Sequence, residues 1–177
     1  MNILFHLNLR IQPVERFMIE DRLEEKMNAK GLGSIIGGGT LQASDGEIQS
    51  CDIEIELINE DDYEEVKTMI TELPIPKGSY LQKKEDKEPI GTLEGLALYL
   101  NGTELPIEVY QECDVNYVIE ELERLMAPDG KMLGYYEGNE YTALYFYRKS
   151  FQQMNSSCEV FVATYPLCQK SIIKQIA

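Results

Sequence analysis

Basic residues are scarce in this chain: 16 Lys and Arg stand against 31 Asp and Glu, a formal net charge of -15 at pH 7. Such a balance repels phosphate backbones and anionic headgroups, so neither nucleic acid nor a membrane surface is expected as a partner. The deficit is not confined to one tail, because residues 1–88 hold 19 acids and 10 bases and residues 89–177 hold 12 and 6. Histidine is rarer still. His6 is the only one, which excludes any site built on two imidazoles. The four cysteines, Cys51, Cys113, Cys158 and Cys168, include no C-x-x-C pair. Zinc-site spacing is therefore missing, and buried free thiols are expected rather than bridges. No apolar run approaches the length of a membrane span and no basic-then-apolar leader opens the sequence, so a cytoplasmic location is expected. Nothing in this inventory calls for a metal or a cofactor.

What is present is enough apolar material, 44% of 177 residues, to fill one ordinary domain or two small ones. The most regular stretch is Ile48 to Ile58. Cys51, Ile53, Ile55 and Leu57 alternate with Asp52, Glu54 and Glu56, which predicts a strand with a core side and a carboxylate side. Alternation also predicts a strand over residues 2–11, and helix formers from Val14 to Lys30 predict a helix stopped by Gly31 and Gly33. A strand over residues 32–42 carries the triplet Gly37, Gly38 and Gly39, and Ser44, Asp45 and Gly46 turn it back into the Ile48 strand. A helix with Tyr63, Val66, Met69, Ile70 and Leu73 on one side follows, and then a strand at 78–83. The charged stretch 85–93 reads as a linker between a first unit, 1–84, and a second, 94–177.

The second unit repeats the order. A strand at 94–100, a helix capped by Asp114, a hairpin across Gly138 and Asn139, a helix through Phe151 and Tyr165, and a last strand at 171–177 are predicted. Two successive β-α-β-β-α-β windings resemble a tandem of ferredoxin-like units. The resemblance implies an α+β fold: antiparallel sheets with strand order 4-1-3-2 and helices on one face of each. It implies that His6, Asn8 and Arg10 stand beside Asp52, Glu54 and Glu56 on the open face of the first sheet. On the second sheet the open face is expected to carry Tyr99, Tyr141, Tyr145 and Tyr147.

These seven acids and tyrosines are the candidate partner-binding residues. Carboxylates two apart on a strand sit about 6.6 Å from one another, too far to close a cation cage unaided, so the acidic row reads as a partner-facing surface. The glycine triplet leads into a turn and a strand rather than a helix, which argues against a phosphate loop and for a bulge or a close approach. Aromatic residues on an open ferredoxin-like sheet are what RNA-recognition domains use to stack bases, but the cations that would hold the phosphates are missing.

No catalytic set stands out. The expected function is therefore a non-enzymatic acidic binding protein with a basic protein partner. In size and charge the chain resembles bacterial immunity proteins, which implies an inhibitor that occludes a basic toxin. The element order is also similar to tandem ACT-type regulatory domains, which implies, as the alternative, a sensor of amino-acid-like small molecules.

Overall fold

The computed structural model describes all 177 residues. Its contacts divide the chain into two units: Met1–Ser44 with Ile48–Thr92, and Leu93–Ala177 with the three residues Asp45–Glu47.

In the first unit the elements are β1 (Asn2–Leu7), α1 (Pro13–Lys30), β2 (Gly33–Gln42), β3 (Ile48–Leu57), α2 (Tyr63–Thr71), β4 (Tyr80–Lys83) and β5 (Asp86–Pro89). The sheet runs β2-β3-β1-β4-β5, every neighbour antiparallel, so its first four strands have the ferredoxin-like order. Alternation decides the faces: Ile3, Phe5 and Leu7 of β1 and Cys51, Ile53, Ile55 and Leu57 of β3 are buried with Leu23 and Met27 of α1 and Val66 and Ile70 of α2. Full burial of one such side chain contributes about 1.5–3 kcal/mol, which fixes the register against a one-residue slip. α1 starts where the Gln12 amide donates to Glu15 Oε2 at 2.8 Å, and it stops at Gly31, whose φ of +66° is the left-handed cap.

The glycine triplet has a packing cause. The register of β2 against β3 shifts between Ile35 and Gly37, a bulge at Ile36, and a Cβ at Gly38 would overlap the Arg16 guanidinium and the Glu20 carboxylate. Arg16 is buried and ion-paired with Glu20 one turn along α1; burial pushes the Glu20 carboxyl up, against the pull of Arg16.

Residues 85–93, expected as a linker, fold otherwise. Lys84 turns the chain with φ +56°, and Asp86–Pro89 pair with Tyr80–Lys83 as a hairpin arm. The unit boundary falls between Thr92 and Leu93. Charges and a proline suit an exposed edge strand as well as they suit a connector, so composition could not separate the two.

The second unit holds β6 (Glu94–Asn101), α3 (Ile107–Glu112), α4 (Val115–Leu125), β7 (Lys131–Glu137), β8 (Tyr141–Arg148), α5 (Phe151–Thr164) and β9 (Ile172–Gln175). Its sheet order, β7-β8-β6-β9, is again ferredoxin-like. Asp114 caps α4 by accepting the Asn116 amide at 2.8 Å, and Ser150 caps α5 by accepting the Gln153 amide at 3.3 Å. Leu96, Leu98 and Leu100 of β6 and Leu144 and Phe146 of β8 form the core with Val118 and Leu122 of α4 and Met154 and Cys158 of α5. The chain is thus two ferredoxin-like units in tandem, as the element order implies.

Candidate functional site

The acidic row stands where alternation puts it. Asp52, Glu54 and Glu56 lie on the side of β3 opposite the buried Ile53 and Ile55. Asp52 is half-exposed and accepts from His6 Nδ1 at 2.7 Å, and the imidazole stacks on Tyr80 with ring centroids 4.6 Å apart. Asn8 and Arg10 do not join this face. The antiparallel register sets His6 against Asp52 but Leu4 against Glu54 and Asn2 against Glu56, so the strand's later residues run past the row. β1 ends at Leu7, and Asn8 is drawn away by bonds from its amide to Ser79 Oγ, 2.9 Å, and from its side chain to the Lys77 carbonyl, 2.7 Å.

Glu54 and Glu56 are exposed, and no Lys or Arg pairs with either. The sequence between Lys30 and Lys67 contains ten acids and no Lys or Arg, which leaves this face without local cations. Glycine widens it. A Cβ at Gly37 would stand 3.4 Å from Glu54 Oε2, so the bare strand leaves room for that carboxylate to lie over it. No three His, Cys, Asp or Glu side chains come together closely enough to hold a metal ion.

The tyrosine face of the second sheet differs from the expected open surface. Tyr145 and Tyr147 are 0% and 2% exposed and Tyr99 is buried, leaving only Tyr141 of the four partly accessible. The cause is polar as well as apolar. Glu47, itself 7% exposed, accepts the Tyr99 and Tyr145 hydroxyls on Oε1, both at 2.7 Å, and the Tyr141 hydroxyl on Oε2 at 3.3 Å. Asp45 accepts Tyr141 at 2.9 Å on Oδ2 and the Glu47 amide at 3.0 Å on Oδ1, while its carbonyl accepts the Tyr136 hydroxyl. A phenol buried in a sheet needs an acceptor for its hydroxyl, and here one carboxylate serves three.

Glu47, Asp45 and Tyr136 are functional groups that the sequence reading missed. The available signal was the phenols themselves: several tyrosines on one apolar face imply a buried acceptor somewhere in the chain. Beside this cluster a cleft of about 490 Å³ is lined by Asp45, Glu47, Tyr99, Tyr141, Lys170 and Lys174, among others. The Lys174 ammonium sits 4.8 Å from the centre of the Tyr99 ring.

The cluster has a pH signature. The Glu47 amide and the Tyr141 hydroxyl hold the Asp45 carboxyl below its ordinary range, and desolvation and then Asp45 push the Tyr141 phenol well above its own. A depressed carboxyl contributes stability that is present above its unfolded pKa and lost as pH falls through the folded value. A raised phenol contributes stability that is complete below its unfolded pKa and lost as pH rises through the folded value. The melting temperature lost by Tyr141→Phe should therefore stay constant from about pH 6 to 9 and shrink above about pH 10. Thermal unfolding of both chains across that range reads the difference, and a gap that persists unchanged into strong alkali would contradict the assignment.

Three of the four thiols are buried and poorly suited to act as nucleophiles. Burial raises Cys51 and pushes Cys158 up to about 11 and Cys168 up to about 12, which keeps them protonated at neutral pH.

No family model and no curated protein matches the sequence. Among solved structures the chain is similar to the first two RRM domains of the yeast poly(U) binding protein, at 10% identity over 99% of each chain and a TM-score of 0.27. One expectation is corrected by that match. The expectation of no nucleic-acid partner stands against this match to tandem domains from a poly(U) binding protein and is not carried forward.

Proposed function

We propose that the chain is a non-catalytic binding protein that takes a cationic protein segment on the helix-free face of its first sheet. The observation that carries this reading is the pair Glu54 and Glu56, exposed on β3 without a counter-ion, beside the half-exposed Asp52. An exposed ion pair is worth about 0.2–1 kcal/mol, so three carboxylates steer and orient a partner more than they hold it. Tight binding then needs several cations at matching spacing. An immunity-type inhibitor is the form of this reading in which the partner is a basic toxin and the acidic face covers its working surface.

A labelled oligolysine peptide and poly(U) RNA, each titrated with the chain at about 20 mM and about 200 mM salt, test it, since screening weakens exposed charge contacts over that range. Peptide binding that falls at least tenfold with salt is expected. Poly(U) binding in place of the peptide would overturn it.

A second reading, a small-molecule sensor, is favoured by the cleft at Lys170 and Lys174. Ammonium and carboxylate groups line it together, a combination suited to a zwitterion. Free amino acids added in a thermal-shift series should raise the melting temperature on that reading and leave it unchanged on the first.

A further inference from the structure

The two sheets have four edges, β2 and β5 in the first and β7 and β9 in the second. Exposed edges invite pairing with another chain, and proteins blunt them with charge, proline, bulges or brevity. Three of these four are blunted. β5 is four residues long and reads Asp86, Lys87, Glu88, Pro89; β9 is four residues long with Lys174; β7 begins at Lys131, ends at Glu137 and breaks register between Met132 and Gly134.

β2 is the exception. It runs for ten residues without a charge or a proline, and none of the ten is buried. Its only devices, the bulge at Ile36 and a second register shift between Leu41 and Gln42, still leave Gly37 to Leu41 in unbroken register with Glu54 to Ser50. The backbone of these residues bonds to β3 and to no other element, so one row of amides and carbonyls points away from the sheet unpaired.

The charge on the neighbouring strand selects the occupant. Gly37 lies opposite Glu54 and Gly39 opposite Asp52, and neither glycine puts a side chain between those carboxylates and the edge. A strand added to β2 would lie about 9.5 Å from β3, two strand spacings, and a lysine or arginine stem reaches across the bare glycines from there. A second copy is a poor fit, because β2 brings no cation and self-pairing would set two acidic rows side by side.

We infer that β2 is the edge onto which an extended segment of the cationic partner adds as a further strand, its Lys or Arg residues at alternate positions lying over Gly37 and Gly39 toward Glu54 and Asp52. This rests on the cationic-partner reading and specifies its geometry: backbone bonds to β2 supply affinity, and alternate cations supply selection.

The test is calorimetric binding of an alternating Lys-Thr peptide to the full chain. Two analogues carry N-methyl groups on alternate residues, one along each edge of the peptide, with charge unchanged. One analogue should lose at least about tenfold in affinity while the other binds like the parent, since only one peptide edge bonds to β2. Gly39→Lys, whose Cβ meets nothing within 4 Å, should keep the fold and lose binding by a similar factor. If both methylated analogues bind like the parent, edge addition is overturned while the acidic-face reading survives. If the parent peptide fails to bind, both are overturned. A chain that sediments as a dimer undisturbed by the peptide, or a Gly39→Lys chain that binds normally, also overturns edge addition.

Discussion

Replacing Glu47 with alanine is expected to cost the second unit about 3 kcal/mol, the consequence of removing the carboxylate oxygen that accepts two buried phenol hydroxyls. Tyr99 and Tyr145 both donate to the lost oxygen at 2.7 Å and are buried, whereas Tyr141 keeps Asp45 at 2.9 Å. Glu47→Gln retains an oxygen that can accept two hydroxyls and should cost about 1 kcal/mol, the difference between a charge-assisted and a neutral hydrogen bond. Adding Tyr99→Phe and Tyr145→Phe to Glu47→Ala should recover part of the loss, because removing both partners of a buried bond costs less than removing one. Urea unfolding of the full chain, followed by circular dichroism, measures all three. An alanine variant within about 0.5 kcal/mol of the natural chain would mean that the carboxylate does not hold the phenols, since surface substitutions fall in that range.

Charge reversal on the other sheet should act on binding and spare the fold. The pair Glu54→Lys with Glu56→Lys removes two attractions to a cationic segment and adds two repulsions, together about 3 kcal/mol near a protein surface, so affinity for a basic peptide should fall about a hundredfold at low salt. Both side chains are exposed and unpaired, so the melting temperature should move little. The same reversal at Glu108 and Glu112, both exposed on α3 of the second unit, serves as the control with equal net charge. An equal loss of affinity from both pairs would assign binding to net charge rather than to this face.

Much of the architecture was legible because each strand obeys one local rule. The alternation around Ile53 and Ile55 decides both the existence of β3 and which side carries the acids, since a one-residue slip would bury three carboxylates. The cap at Asp114 and the stop at Gly31 are equally local. What could not be read depends on distant partners. Glu47 follows a turn signal, and nothing nearby announces that its carboxylate binds Tyr99 and Tyr145, 52 and 98 residues further on. The open aromatic surface expected on the second sheet was wrong for that reason: tyrosine suits an exposed binding face and a buried bonded one equally well. The strand at Asp86–Pro89 was hidden because edge protection and linker composition coincide, and Asn8 left the first sheet because Ser79 and Lys77 offered it better partners than the row on β3.

Assigned amide spectra of the chain during titration with a lysine-rich peptide probe the acidic face most directly. Shifts concentrated at Asp52, Glu54 and Glu56 and along Gly37 to Leu41, saturating with the peptide and fading with salt, are the predicted result. Shifts confined to the second unit, or an unchanged first sheet at saturating peptide, would contradict it.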